Sequence, residues 1–173
     1  MSTLAVDTIT PKSSVGVTFS DYVIDQWRLS ATFSTNDANI TGWERPDDAS
    51  FGRIGTGVTE SSGIFTFPST GVYLVTTNVR LYVAGADGTT GYVVQVSTDG
   101  GSSSDTIASA YEGDSSANDS NTSASTSSLI NVTNTSLFQV WLKSAAMGSG
   151  STIRGHTSEN QTMITFERKG NAQ

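Results

Sequence analysis

Few side chains in this sequence could do chemistry. His156 is the one histidine among 173 residues, and cysteine is absent. A hydrolytic triad needs a histidine beside an activated serine, and no Gly-x-Ser-x-Gly elbow occurs. One histidine without cysteine also excludes the usual zinc ligand sets. His156 follows Gly155 and reads as a loop residue. Glu44, Asp47 and Asp48 are the nearest approach to a glycosidase carboxylate pair. Adjacent side chains diverge in an extended chain, however, and Pro46-Asp47-Asp48 is ordinary turn material. No catalytic residue is assigned.

Two stretches rich in Asp, Asn and Ser, Asp87 to Thr90 and Asp114 to Asn121, offer hard oxygen ligands of the kind calcium takes, although neither has EF-hand spacing. Calcium is the one cofactor to test, and none is assigned. The loop around Gly55 and Gly57 lacks the lysine and the helix of a phosphate cradle. Asn39, Asn131 and Asn160 each start an Asn-x-Thr triplet. Such triplets arise by chance in a chain this rich in Ser and Thr. A net charge of -7 argues against nucleic acid, since phosphate contacts need Lys and Arg. No apolar run is long enough to span a bilayer, and no signal-peptide core stands at the N-terminus. The expectation is synthesis in the cytosol without a standard leader.

The elements that would position these groups are strands. Only 14% of residues are charged, so surface polarity must come from Ser, Thr, Asn and Gly, a composition typical of β-rich proteins. The organising stretch runs from Gly63 to Leu81. Phe65 and Phe67 alternate with polar neighbours, Pro68-Ser69-Thr70-Gly71 supplies a turn, and a second strand begins at Val72. In it Tyr73, Val75, Val79, Leu81 and Val83 fall on one face and Thr76, Asn78 and Arg80 on the other. Strand, turn, strand predicts an antiparallel pair with one dry face.

Elsewhere Gln26 to Phe33 alternates, with Trp27, Leu29, Ala31 and Phe33 inside and Arg28 outside. Ile40 to Arg45 is a short strand candidate. Tyr92, Val94 and Val96 face inward, Ile107 to Tyr111 is a further strand, and Phe138, Val140 and Leu142 form another. Met163 to Arg168 closes the chain with Ile164 and Phe166 inward. Asp114 to Ser128 has almost nothing apolar and reads as a surface loop, with Leu129 to Val132 re-entering the sheet. Short strands between turn signals, with no helical period, give an all-β antiparallel sandwich. Residues 1–19 form an arm or first strand and residues 20–173 the domain. Leu4, Val6 and Ile9 in that arm have little local structure to pack into. Leu74, Val93 and Trp141 are apolar yet lie opposite the inward rows of their strands, which marks them as candidates for a subunit contact.

The central stretch resembles the C1q/TNF-like jelly rolls, in which an aromatic-x-aromatic strand leads through a Gly-x-Tyr turn into a long strand. The matching residues are Phe65, Phe67, Gly71 and Tyr73. The wider pattern, from Asp25-Gln26-Trp27-Arg28-Leu29 to Met163-Ile164-Thr165-Phe166-Glu167-Arg168, resembles the C1q-like domains of virion proteins from aquatic bacteriophages. The resemblance implies a jelly roll, a homotrimer packed through sheet faces that would include Leu74, Val93 and Trp141, and a non-enzymatic role on a virion. A capsid decoration protein anchored on the major capsid protein by Leu4, Val6 and Ile9 is the leading expectation. A tail-fibre head or adaptor among tail proteins, or a lectin-like domain binding host surface glycans, is the alternative.

Overall fold

Phe65 and Phe67 sit where two sheets face each other. The computed structural model describes residues 22–85, 87–113, 119–148 and 150–173. The arm residues Leu4, Val6 and Ile9 lie outside the described residues.

The strands are β1 (Ile24–Leu29), β2 (Trp43–Glu44), β3 (Thr59–Ser61), β4 (Ile64–Thr66), β5 (Gly71–Val83), β6 (Thr89–Ser97), β7 (Asp105–Gly113), β8 (Ser120–Val132), β9 (Gln139–Ala145), β10 (Thr152–Ile153) and β11 (Met163–Gly170). All pair antiparallel, in two sheets. In the first, β5 is flanked along its whole length by β8 on one edge and by β11 and then β10 on the other, with β1 and β2 beyond β11. The second runs β3-β4-β9-β6-β7. Among the described residues there is no helix.

Alternation decides which side chains enter the core. Tyr73, Val75, Val79, Leu81 and Val83 on β5, and Ile164 and Phe166 on β11, are buried as their spacing requires. They meet Phe65, Tyr92, Val94, Val140 and Leu142 of the second sheet. Aromatic rings bind the two layers. Phe65 lies 5.7 Å from both Trp27 and Trp43 and 5.0 Å from Phe166, centroid to centroid. Phe67 packs against Tyr73 at 4.8 Å, Phe166 at 5.7 Å and Phe138 at 5.8 Å. Such tilted and edge-to-face pairs add to the burial of the rings themselves.

Three expectations need correction. The Pro68 turn does not close a hairpin. β4 pairs with β3 and β9, β5 pairs with β8 and β11, and the turn carries the chain from one sheet to the other. Phe67 and Tyr73 then face each other through the core instead of lying side by side. Most of the Ser/Asn-rich tract is strand, not loop, because β8 pairs residue for residue with β5 from Ser120 to Val132. That ladder satisfies the backbone groups turned toward β5, and Thr126 Oγ1 meets Thr77 Oγ1 at 2.7 Å, which in turn bonds the buried Tyr92 hydroxyl at 2.6 Å. Finally, Gln26 to Phe33 is not one strand. β1 ends at Leu29, and Phe33 forms only an isolated bridge to Ile153.

One charge is buried in this core. Asp25 shares the parity of Trp27 and Leu29 and is 1% exposed. Its carboxylate accepts bonds from Arg45 Nε at 3.0 Å and Nη2 at 2.9 Å, from Trp27 Nε1 at 3.1 Å and from the Val58 N–H at 2.9 Å. Arg45 also lies 4.2 Å above the Trp27 ring. Gly57, at a φ of +77°, passes so close that a Cβ would come within 2.5 Å of Asp25 Oδ2.

Truncating the aromatic wedge should be costly. Phe65→Ala is expected to lose about 3–5 kcal/mol in urea unfolding. A loss below about 1 kcal/mol would show that the wedge does not join the sheets.

Candidate functional site

Two-residue alternation gives the first sheet an outer face as well as an inner one. On β5 it presents Val72, Leu74, Thr76, Asn78, Arg80 and Tyr82, and the register sets opposite them Asn131, Leu129, Ser127, Ser125, Ser123 and Asn121 of β8. Only Arg80 carries a charge, and it stands at one end. β11 continues the face with Met163, Thr165 and Glu167, the last opposite Leu74, and β1 with Ile24, Gln26 and Arg28. Gln26 Nε2 donates to Thr165 Oγ1 at 3.1 Å. Leu129 is 67% exposed, the most exposed large apolar side chain among the described residues. With Val72 and Leu74 it makes an apolar end to the β5–β8 part of the face, with Glu167 of β11 alongside.

Of the three residues singled out for a subunit contact, Leu74 lies on this face beside Leu129. Val93 and Trp141 lie on the outer face of the second sheet, where Val93 is paired with Lys143 and Ser109, and Trp141 with Ile64 and Gln95. Trp141 is only 9% exposed there. The fold therefore places Leu74 on one side of the sandwich and the other two on the opposite side. Parity along a strand gives the face of a sheet but not which sheet.

The carboxylate constellation serves an arginine. Arg28 points outward from β1 yet is 1% exposed, because the 44–48 segment covers it. Its Nε donates to Glu44 Oε1 at 2.8 Å and its Nη2 to Asp47 Oδ1 at 2.6 Å. Asp48 instead accepts from the Ser50 N–H at 2.8 Å and the Ser50 hydroxyl at 2.6 Å, an Asx turn. Arg28, Asp47 and Asp48, with Thr157 and Ser158, line an open recess of about 350 Å³. The carboxylates are committed to an ion pair and a turn.

Asp87, in the first of the oxygen-rich stretches, accepts a hydrogen bond from Ser151 Oγ. Asp119, in the second, accepts from the Tyr82 hydroxyl and, at 3.0 Å, from the Gly85 N–H. Among the described residues no three His, Cys, Asp or Glu side chains are grouped to hold a metal. His156 lies with Arg80 and Arg154 around a second recess. That grouping is not legible in the sequence, where Arg80 and Arg154 are 74 positions apart and no periodic signal links them.

The two-sheet arrangement defines a TNF-like jelly roll. The chain is similar in structure to the TNF protein Eiger of S. frugiperda, with a TM-score of 0.66 and 14% identity over 88% of this chain and 95% of that one. It is likewise similar to murine APRIL at pH 5.0 (TM-score 0.64) and pH 8.5 (TM-score 0.61), each at 16% identity over 85% of this chain and 98% of the other. No family model and no curated protein matches the sequence. At these identities the likeness shows the fold.

The Arg28 hydrogen bond holds the Asp47 carboxyl below the usual carboxylate range. A depressed folded-state value contributes stability that is present above about pH 3.9 and is lost as pH falls through the folded value. Asp47→Asn should therefore flatten the acid limb of the stability–pH curve below about pH 4 and leave the fold intact at neutral pH. An unchanged acid limb would mean that the ion pair is not formed in solution.

Proposed function

We propose that this chain is a non-enzymatic structural protein that associates as a homotrimer through the outer face of its first sheet and decorates a bacteriophage capsid. The observation that carries this reading is the composition of that face. Interface cores are depleted of charge and closely packed, and here two paired 13-residue strands expose one charge between them, at the end. The chain as a whole is acidic, so a β5–β8 surface with no carboxylate is not an average sample of it. An exposed apolar end formed by Val72, Leu74 and Leu129 is what a monomer would leave uncovered only at a cost.

Closed cyclic assembly is the common solution for identical subunits, and a trimer fits the threefold positions of a capsid lattice. The sequence resemblance to virion proteins of aquatic bacteriophages supports the location. The 1–19 arm, with Leu4, Val6 and Ile9, would supply a strand or plug to a neighbouring capsid subunit.

Two measurements test this. Light scattering should give three times the 18.1 kDa chain mass for the wild type. Leu129→Asp should give the single-chain mass with unchanged circular dichroism, since its side chain makes few contacts within one copy. A monomeric wild type, or a trimer indifferent to Leu129→Asp, overturns the assembly. Quantitative mass spectrometry of virions and tailless heads should then find this chain in fixed, high ratio to the major capsid protein. A few copies on intact virions alone would move it to the tail, and absence from both would exclude a virion role.

A further inference from the structure

We propose that the recess between the far end of β5 and the loop after β10 binds a carboxylate-bearing ligand of about monosaccharide size, an acidic sugar. The recess holds about 360 Å³, within the range of small-ligand sites, and is lined by Thr32, Arg80, Asn121, Arg154, His156 and Gln161.

The charge distribution singles this place out. The chain carries -7 overall, and its other cations are mostly engaged. Arg28, Arg45, Lys143 and Lys169 each meet a carboxylate, and Arg168 bonds the Thr70 carbonyl and Asn171. Among the described residues no carboxylate lies at ion-pair distance from Arg80 or Arg154. Two guanidinium groups line one recess with no carboxylate of the described chain between them.

Their backbone is fixed. The Arg154 N–H donates to the Arg80 carbonyl at 2.8 Å, and the Arg80 N–H donates to Oγ1 of the buried Thr162 at 3.1 Å. The Arg154 guanidinium lies over the Tyr82 ring, 4.6 Å from its centroid, a contact that limits its rotamers. Gly155 rests on the Ala31 backbone, where a Cβ would stand 2.3 Å from the carbonyl oxygen. The next N–H, of His156, donates to the Leu29 carbonyl at 2.8 Å. His156 Nδ1 accepts the Ser158 N–H at 3.1 Å, which leaves the ring proton on Nε2 as a donor.

Two carboxylates lie nearby, and each is held by another group. Glu159 accepts from Gln161, a bond that with the nearby Arg80 charge keeps its carboxyl below the usual range. Asp119 takes the Tyr82 hydroxyl and the Gly85 N–H.

The chemistry fits an acidic sugar better than a bare anion. Guanidinium groups offer paired donors that match a carboxylate. The Nε2–H of His156, the amides of Asn121 and Gln161 and the Thr32 hydroxyl are neutral donors and acceptors suited to ring hydroxyls. A sulfate would use the first set and leave the second idle. Arg80 and Asn121 also stand at the far end of the first sheet's outer face, so the inference rests on the subunit contact being centred on the Leu129 end and leaving this end open.

Isothermal titration of the full chain with glucuronate, glucose and sulfate tests it. Saturable glucuronate binding is expected, at least about tenfold tighter than that of glucose or sulfate. Arg80→Gln and Arg154→Gln should each weaken it by about tenfold or more, the loss of one charge-assisted bond, with circular dichroism and assembly mass unchanged. Glu159→Gln, which removes a nearby negative charge, should tighten it. The proposal is overturned if the wild type fails to bind glucuronate, if sulfate binds as tightly, or if the arginine variants dissociate the assembly, which would assign the guanidinium groups to subunit contacts.

Discussion

The structure depends on a Phe-x-Phe wedge between two sheets that share no strand ladder. Backbone ladders hold each sheet together but do not join one to the other, so the join is made by side chains, chiefly ring packing with the Thr77–Tyr92 hydroxyl bond beside it. Phe65 reaches Trp27, Trp43 and Phe166, and Phe67 reaches Tyr73, Phe138 and Phe166. Tilted rings at these distances have few alternative arrangements in a close-packed core. Pro68 comes directly after Phe67 and ends the strand, which sends β5 into the opposite sheet. The wedge thus fixes the thickness of the sandwich and the crossing that makes it a jelly roll.

The long strand β5 serves both the core and the surface. Its inward row builds the core, and its outward row, with that of β8, makes a face from which charge is almost absent. Charges are moved to the margins. Asp25 is buried beside Trp27 under a half-buried Arg45, Arg28 is covered by the 44–48 segment, and Arg80 stands near the end of its strand beside Arg154 and His156. The β5–β8 surface proposed for self-association and the recess at its end both follow from the same alternation read outward.

Much of this architecture is legible in the sequence because a half-buried strand writes its pattern every second residue. The inward rows of β5, β9 and β11 follow from that period, and the TNF-like fold follows from the Phe65-x-Phe67 and Gly71-x-Tyr73 resemblance. β8 escapes the same reading because its inward positions include Thr122, Thr126 and Ser128, so alternation is masked by hydroxyls that bond within the core or sit at its edge. The role of Pro68 is hidden because a turn's sequence does not say whether it closes a hairpin or changes sheets. Leu74, Val93 and Trp141 share an outward parity but lie on two different sheets. The buried Asp25 and its partner Arg45 are 20 positions apart. The inward parity of Asp25 with Trp27 is a readable signal, whereas the identity of its partner is not.

Because the chain has no cysteine, a single introduced cysteine reports one site without background. Spin labels at Ser125→Cys, on the outer face of the first sheet, and at Ser109→Cys, on the outer face of the second, allow distances between identical copies to be measured by double electron–electron resonance. Association through the first sheet predicts one short distance at position 125 and a clearly longer one at 109. No interaction at 125, or the shorter distance at 109, would contradict the assembly on which the functional reading rests.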